Sequence, residues 1–378
     1  MKTKNDTVTP PERGRWGGFL RQNLFLIFLI LTAFLLFLAA PRPLRELPGY
    51  VDWNTIYTLA GLLLITNAVR ESGFFHVTAR RLACHIRNER YLALFLVFLA
   101  ALLSAFFTND ISLFILVPLT LGLQELLQRN YTRIIIFEAL AVNAGSALTP
   151  IGNPQNIFLW HQWGISFPLF VREMAPVVGV MMLWLLLFTF FVFPPEKIRL
   201  EERRPASTDK TLFWISLLLL AGFIVSIETD VGPWFLLVLF PVYALIAPRS
   251  LLCADWGLLL LFIFMFVDIA LLCHLPAVHG LITTLHPEES RHLFLAGTLG
   301  SQLISNVPAT LLFSHYTTEY RTLAWAVNTG GNGLLIASFA NIIALRFVRD
   351  RKKYLLFHLY SIPFFLVTVL TVWILLIK

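Results

Sequence analysis

Long stretches without charge constrain the fold of this chain more than any other feature. They span residues 24–40, 53–69, 91–107, 171–193 and 355–377. About 17–25 apolar residues in a helix cross a bilayer, and several of these stretches meet or approach that length. Only 13% of the 378 residues are charged, about half the share of a soluble domain. The sequence therefore predicts an all-α polytopic membrane protein with about 9–11 spans.

Basic residues are distributed unevenly along the predicted loops. If the N-terminus is cytoplasmic, 23 of the 29 Lys and Arg residues face the cytoplasm. They lie in residues 1–23, 70–90, 128–133, 194–211, 248–256 and 346–354. This asymmetry is the positive-inside rule, and it accounts for the net charge of +7 without a nucleic-acid partner. We therefore predict a multi-pass protein of the bacterial cytoplasmic (inner) membrane.

A polar segment in the first half of the chain returns in the second half. Residues 143–157 read NAGSALTPIGNPQNI and residues 328–342 read NTGGNGLLIASFANI. Without a gap they match at Asn143/Asn328, Gly145/Gly330, Ile151/Ile336, Asn156/Asn341 and Ile157/Ile342. A second pair of polar interruptions precedes them, at residues 108–110 and 305–306. Broken hydrophobic segments at corresponding places in two halves are typical of transporter binding sites.

These landmarks divide the chain into two repeats. We predict a cytoplasmic tail (1–23), a first repeat (24–195), a linker with a connecting helix (196–230) and a second repeat (231–378). The first repeat contains a hairpin (91–127) and a broken helix (134–160); the second contains a hairpin (293–317) and a broken helix (322–345). The connecting helix inverts the second repeat. Arms 293–304 and 307–317 reach only about 16–18 Å as helices, so the hairpin is predicted to be re-entrant.

Helices that end inside a membrane expose backbone groups to a ligand. Their N-termini attract anions and their carbonyl ends attract cations, and small polar residues add donors, acceptors and close backbone approach. The first half-site is predicted to comprise Thr108, Asn109, Asp110, Asn143, Gly145, Ser146, Thr149, Asn153 and Asn156. The second is predicted to comprise Ser305, Asn306, Asn328, Gly330, Gly331, Asn332, Ser338 and Asn341. The alternative is that these residues join helices to one another.

Two acidic residues interrupt the apolar runs. An ionisable group in the membrane is costly and indicates function by default. We expect Asp110 to bind or relay the coupling cation, most simply a proton; the alternative is a carboxylate that satisfies nearby backbone N–H groups. Asp268 has no counterpart in the other repeat, which favours a structural role. Asn109 and Asn306 are candidates for a sodium site, and no other metal site or cofactor is indicated, since the three cysteines and nine histidines are scattered.

The motifs resemble a known family. FFTNDISLFILVP, NAGSALTPIGNPQN, ISNVPA and NTGGNG are similar to the ion transporter superfamily, within it to the citrate–metal and arsenite-pump branch, which includes bacterial inner-membrane members of unassigned substrate. The likeness covers residues 24–377. It implies secondary active transport by two inverted repeats, with substrate and coupling ion between the hairpin tips, and a homodimer whose transport domain moves against a scaffold domain. Dicarboxylate carriers of the superfamily have Ser-Asn-Thr at both tips, a pattern that this chain lacks.

These observations predict a secondary transporter of a small anion or oxyacid, coupled to protons or sodium. A cation/proton antiporter is the alternative, because an acidic residue at the hairpin tip would suit the exchange of a cation for a proton. A passive channel is a further alternative. The chain contains no GxSxG, HExxH or GxGD string and no Walker A loop, so nothing indicates an enzyme or an ATP-driven pump.

Overall fold

The computed structural model describes residues 15–39, 42–127, 131–198 and 208–377, with side chains placed for 26–39, 42–124, 131–198 and 208–377. Within these ranges the helices are joined by turns and loops, and the only other regular structure is one isolated bridge between Asn88 and Lys197. The all-α prediction is confirmed. Most of the predicted tail and residues 199–207 of the predicted linker lie outside the described residues.

The helices of the first half begin and end close to the predicted positions. They are α1 (Arg15–Ala39), α2 (Trp53–Glu71), α3 (Phe74–Cys84), α4 (Glu89–Phe106), α5 (Asn109–Leu127), α6 (Thr132–Ser146), α7 (Pro154–Trp163) and α8 (Phe167–Val192). A 3₁₀ helix, Leu44–Tyr50, precedes α2. The short helix α3 was not predicted, and α1 begins nine residues before the predicted residue 24.

The second half repeats this order after a connecting helix. Its helices are α9 (Lys210–Glu228), α10 (Gly232–Ile246), α11 (Pro248–Leu252), α12 (Trp256–Cys273), α13 (Pro276–Thr283), α14 (Ser290–Ile304), α15 (Asn306–Ser314), α16 (Tyr320–Gly330), α17 (Phe339–Arg346) and α18 (Lys353–Leu375). A 3₁₀ helix, Leu335–Ala337, lies between α16 and α17. The short helices α11 and α13 were not predicted.

Five helical segments of the described residues are long and apolar enough to cross a membrane. They are Glu89–Phe106, Phe167–Val192, Lys210–Glu228, Pro248–Cys273 and Lys353–Leu375. Shorter apolar segments accompany them at Leu26–Ala39, Asn109–Gln124 and Gly232–Ile246. The chain is therefore a multi-pass membrane protein.

The helices are interrupted at or beside the polar residues of both predicted hairpins. In the first, Phe107 is extended between α4 and α5. In the second, Ser305 separates α14 from α15 with a φ of 74°, a left-handed conformation that is uncommon outside glycine. The arms differ in length, because α4 has 18 residues and α15 has nine. At 1.5 Å per residue, α15 reaches only about 13 Å, less than half of a hydrocarbon core.

Both predicted broken helices are interrupted. Helix α6 ends at Ser146 and α7 begins at Pro154; α16 ends at Gly330 and α17 begins at Phe339. Proline suits the first turn of α7, where its missing N–H has no helical partner to lose. The residue before each restart caps it, since Asn153 and Ser338 accept hydrogen bonds from the backbone of α7 and α17.

The two halves make matching contacts within themselves and with each other. Helix α4 packs on α6, and α14 packs on α16. Between the halves, α7 packs on α15 and α16, while α17 packs on α5 and α6. The outer helices follow the same rule, because α1 packs on α12 and α10 packs on α2. The second segment of each broken helix thus contacts the opposite half, although α7 also packs on α2 of its own half.

Candidate functional site

A cavity of about 570 Å³ lies where the two halves meet. Four helices begin at its wall, α5 at Asn109, α7 at Pro154, α15 at Asn306 and α17 at Phe339, and these four residues all line it. The first N–H groups of a helix have no intrahelical partner and carry about half a positive charge in sum. The cavity wall is therefore rich in positive dipole ends.

Charged side chains also line the cavity. Arg70 follows the apolar part of α2, Arg346 ends α17, and Asp255 precedes α12. Asp255 and Arg346 are exposed, as is Cys253 beside them. All four residues come from segments that the charge distribution predicts to be cytoplasmic. No described residue of the predicted outer loops lines the cavity, so it opens on the side of these four residues.

Four of the predicted site residues in the two hairpins line this cavity: Thr108, Asn109, Asp110 and Asn306. Asn109 is only 8% exposed, and its side-chain oxygen has no hydrogen-bond partner among the described residues. Asp110 occupies the first turn of α5, next to this asparagine. Ser338 of the second broken helix lines the cavity as well.

Four predicted asparagines pair behind the cavity instead of lining it. The Nδ2 of Asn143 donates to Oδ1 of Asn341 at 2.8 Å, and the Nδ2 of Asn328 donates to Oδ1 of Asn156 at 2.8 Å. Each pair joins the first segment of one broken helix to the second segment of the other. All four residues are buried. The matching positions in the two halves thus make the same bond in both directions.

Two of these asparagines also bind the carbonyls that each break leaves free. Asn156 Nδ2 donates to the carbonyls of Ser146 and Thr149 at 3.3 and 3.1 Å. Asn341 Nδ2 donates to the carbonyls of Gly331 and Leu334 at 3.0 and 3.4 Å. The last carbonyls of a helix need such donors when no water reaches them. These side chains replace the hydrogen bonds that the interrupted helix lacks.

The capping residues complete the same network. Asn153 Oδ1 accepts from the N–H of Asn156 at 2.9 Å, and its Nδ2 donates to Oδ1 of Asn328 at 2.9 Å. Ser338 Oγ accepts from the N–H of Ala340 at 3.3 Å and donates to Oδ1 of Asn143 at 2.9 Å. Asn153 and Ser338 occupy equivalent positions in the gapless alignment of the two segments.

The predicted glycines allow close helix packing. A Cβ on Gly145 would lie 2.6 Å from the carbonyl carbon of Ala101 in α4, and a Cβ on Gly330 would lie 2.6 Å from Cβ of Ser301 in α14. Because neither glycine has a Cβ, α4 can pack closely on α6, and α14 on α16.

Twelve of the predicted site residues do not line the cavity. They are Asn143, Gly145, Ser146, Thr149, Asn153, Asn156, Ser305, Asn328, Gly330, Gly331, Asn332 and Asn341.

Three further members of that set donate hydrogen bonds to the protein itself. Thr149 donates to the carbonyl of Ala105 in α4. Ser305 donates to the carbonyl of Ala337 at 3.4 Å. Asn332 donates to the carbonyl of Asn328 at 3.3 Å. Most polar groups around the breaks are therefore occupied by partners within the protein.

Several residues of this region were not predicted from the sequence. Arg70, Asp255 and Arg346 fall in the segments predicted to face the cytoplasm and were not predicted as site residues, although each lines the cavity. Glu138 of α6 is fully buried and accepts from Thr120 Oγ1 at 2.5 Å. As the lone acid in the run IIIFEALAV, Glu138 could have been found by its charge alone.

Comparison with known proteins identifies the class. Residues 22–320 match a family model described as Citrate transporter. The chain is 44% identical to Inner membrane protein YbiR of Escherichia coli, over 95% of this chain and 96% of that protein. It is 35% identical to Uncharacterized transporter MJ0456 of Methanocaldococcus jannaschii, over 85% and 88% of the two chains. Uncharacterized transporter Rv2684 of Mycobacterium tuberculosis is 25% identical over 79% of each.

The family and the names of these relatives point to a membrane transporter rather than an enzyme, and the helical multi-pass fold agrees with that class. Its relatives include an inner-membrane protein and transporters whose names assign no substrate. The chain belongs to the citrate transporter family of the ion transporter superfamily. The resemblance seen in its motifs is confirmed.

Proposed function

We propose that this protein is a secondary active transporter of a small anion or oxyacid, coupled to protons or sodium. The observation that carries the proposal is the convergence of four helix N-termini and two arginines on one cavity. Dipole ends and guanidinium groups both favour a negative charge. A volume of about 570 Å³ suits a small molecule, for which binding sites usually measure about 300–1,000 Å³.

The free oxygen of Asn109 adds a requirement for the substrate or its companion ion. Because this oxygen is buried and has no partner among the described residues, it would gain from a ligand that donates a hydrogen bond, such as the hydroxyl of an oxyacid, or from a sodium ion. Asn306 lies on the cavity wall at the tip of the other hairpin. A ligand between the tips would contact both halves.

We infer that transport proceeds by alternating access between two inverted repeats. The matching contacts of the two halves support this, because a pair of equivalent but inverted units can adopt two mirror-related arrangements about one site. The single-sided opening of the cavity fits one of those arrangements, open to the cytoplasm. The homodimer remains a prediction, to be checked by light scattering of the purified protein.

A binding screen tests the site. The melting temperature of purified protein is measured with citrate, succinate, phosphate, sulfate, arsenite and sodium. At least one anion is expected to raise it, and Asn109→Ala and Asn306→Ala are each expected to abolish the rise. Asn54→Ala is the matched control, since Asn54 is exposed and lies outside the cavity lining. A rise that survives in both tip variants would contradict the proposed site.

The second candidate is a cation/proton antiporter, and the acidic groups of the cavity favour it. Asp110 and Asp255 both line the cavity, close enough for their charges to interact. Counterflow of labelled sodium in proteoliposomes without any anion would support this alternative. Saturable counterflow of an anion would support the anion transporter and would argue against a passive channel.

The role of Asp110 can be tested separately. If Asp110 relays the coupled proton, Asp110→Asn is expected to alter the pH profile of transport, because the substituted amide cannot bind and release a proton in this range. An unchanged profile with normal transport would remove the proton role from this residue. Asp230→Asn is a control, because Asp230 is exposed and lies outside the cavity lining.

A further inference from the structure

Asp268 of α12 is a buried acid without a partner among the described residues. It is 5% exposed, and neither carboxylate oxygen accepts a hydrogen bond from any of them. The structural role favoured by the sequence would need such a contact. An ionised carboxylate without partners is strongly disfavoured inside a membrane, whereas a protonated one is tolerated.

The position of Asp268 relates it to the cavity. Leu258, Leu261 and Phe262 present one face of α12 to the cavity. Asp268 follows Leu261 by seven residues, which places it on the same row of the helix, about 10 Å further along the axis. It lies about 20 Å along α12 from Asp255 at the open end. Asp268 therefore lies past the part of α12 that lines the cavity, on the side away from the exposed Asp255.

No charged group that the structure describes compensates Asp268. Helix α12 is packed against α1, α2, α13, α15 and the 3₁₀ helix Leu44–Tyr50, and Phe158 of α7 makes a ring contact with Phe266 of α12. The titratable and charged residues on or next to these elements, and on α12 itself, are Arg45, Glu46, Tyr50, Asp52, Tyr57, Arg70, Glu71, His161, Asp255, Cys273, His274, His279, His315 and Tyr316. Among the described side chains, none makes a salt bridge or hydrogen bond with Asp268. The described side chains of α1 and those of α15 include no titratable group.

We propose that Asp268 is a proton-binding site that carries the coupled proton from the side of the membrane that is closed in this structure. One carboxylate oxygen takes a proton from water when the cavity opens on that side. On the change to the arrangement open to the cytoplasm the neutral acid is buried, as the side chain of Asp268 is here. It then releases the proton to water in the cytoplasmic cavity, which leaves a carboxylate for the next cycle. The proposal rests on the transport function proposed above and adds to it the residue and the direction of coupling.

The experiment separates accumulation from exchange. Wild-type protein and Asp268→Asn are reconstituted in vesicles of phosphatidylethanolamine and phosphatidylglycerol, with pyranine inside to report protons. The probe is the anion of the panel above that gives the largest thermal shift. For one proton per anion, a pH difference of about one unit should drive about tenfold accumulation. Asp268→Asn is expected to lose that accumulation and the pyranine signal, while exchange of labelled for unlabelled anion continues.

Two further variants keep the result interpretable. Asp268→Glu is expected to restore part of the pH-driven accumulation, which a merely structural role does not predict. Asp230→Asn, at an exposed aspartate on the loop after α9, is expected to behave as wild type. Asp268→Asn should melt at or above the wild-type temperature, since it replaces an unpartnered carboxyl by a neutral group of the same shape.

The outcomes distinguish this proposal from the transport proposal. If Asp268→Asn accumulates the anion with unchanged pH dependence, Asp268 does not carry the proton. The same holds if a sodium gradient alone drives the wild type, although anion transport would then stand. If the wild type neither binds nor exchanges any anion of the panel, the transport proposal itself fails. If Asp268→Asn does not fold, the same comparison is made with Asp268→Ser, and an unchanged pH dependence in that variant would overturn the proposal.

Discussion

Gly145 offers the sharpest test of how the broken helices are held. A methyl group at this position would lie 2.6 Å from the carbonyl carbon of Ala101, and closer still to its Cα and carbonyl oxygen. All three are backbone atoms and cannot rotate away, so α4 and α6 would have to separate by about 1 Å to restore ordinary contact. Gly145→Ala is therefore expected to be destabilising.

The cost can be estimated from the geometry. Overpacking costs about 1–3 kcal/mol, and a backbone obstacle favours the upper end of that range. The higher helix propensity of alanine returns about 1 kcal/mol, so the net loss is about 2 kcal/mol. For a large chain this lowers the melting temperature by about 4 °C. The assay is thermal unfolding of purified protein in detergent.

Two other glycines provide an ordered comparison. In Gly330→Ala the new methyl meets mainly the side chain of Ser301, at 2.6 and 2.8 Å, so a smaller loss is expected. A Cβ on Gly179 of α8 would have no described atom within 4 Å, so Gly179→Ala should be neutral or stabilising. If Gly145→Ala were as stable as Gly179→Ala but lost anion binding, the glycine would serve ligand approach instead of packing.

The asparagine network and the cavity each make further predictions. Asn143→Ala should cost about 1–3 kcal/mol by leaving buried partners unsatisfied, and a double-mutant cycle with Asn341→Ala in thermal unfolding should show coupling; additive losses would refute the pair. Arg70→Gln should weaken anion binding about fivefold, or about 1 kcal/mol, in binding titrations. Arg349→Gln is the control and should have no effect; equal effects of the two variants would show that Arg70 does not act on the anion from within the cavity. With the other cysteines replaced by serine, Cys253 should react with an impermeant maleimide only from the cytoplasmic side, and less when anion is bound; labelling from outside would reverse the orientation.

The breaks could be predicted from sequence because they depend on local chemistry. Proline at 154, the glycines and the capping residues interrupt an apolar run whatever surrounds them. The gapless alignment also found the right register, since Asn143 and Asn328 make equivalent bonds in the structure. The long apolar helices and their breaks were therefore accessible from one sequence, whereas the short helices α3, α11 and α13 were not.

The direction in which each side chain points was not accessible. Asn109 and Asn143 occupy similar polar interruptions, yet only Asn109 lines the cavity, because helix rotation is set by packing between distant segments. The positive-inside rule already explained Arg70 and Arg346 as basic residues at the cytoplasmic ends of helices. The same positions also suit an arginine that faces a cavity, and the sequence does not distinguish the two roles.

The crossed asparagine bonds have a consequence for how the chain reaches its native state. Asn143 and Asn156 are synthesised long before their hydrogen-bond partners, Asn341 and Asn328. During biogenesis the first half is therefore inserted into the bilayer before these side-chain amides can form their bonds, which require the second half. Premature termination near the end of the chain should accordingly leave the early helices open to quality-control proteases, and co-expressed halves should rescue each other.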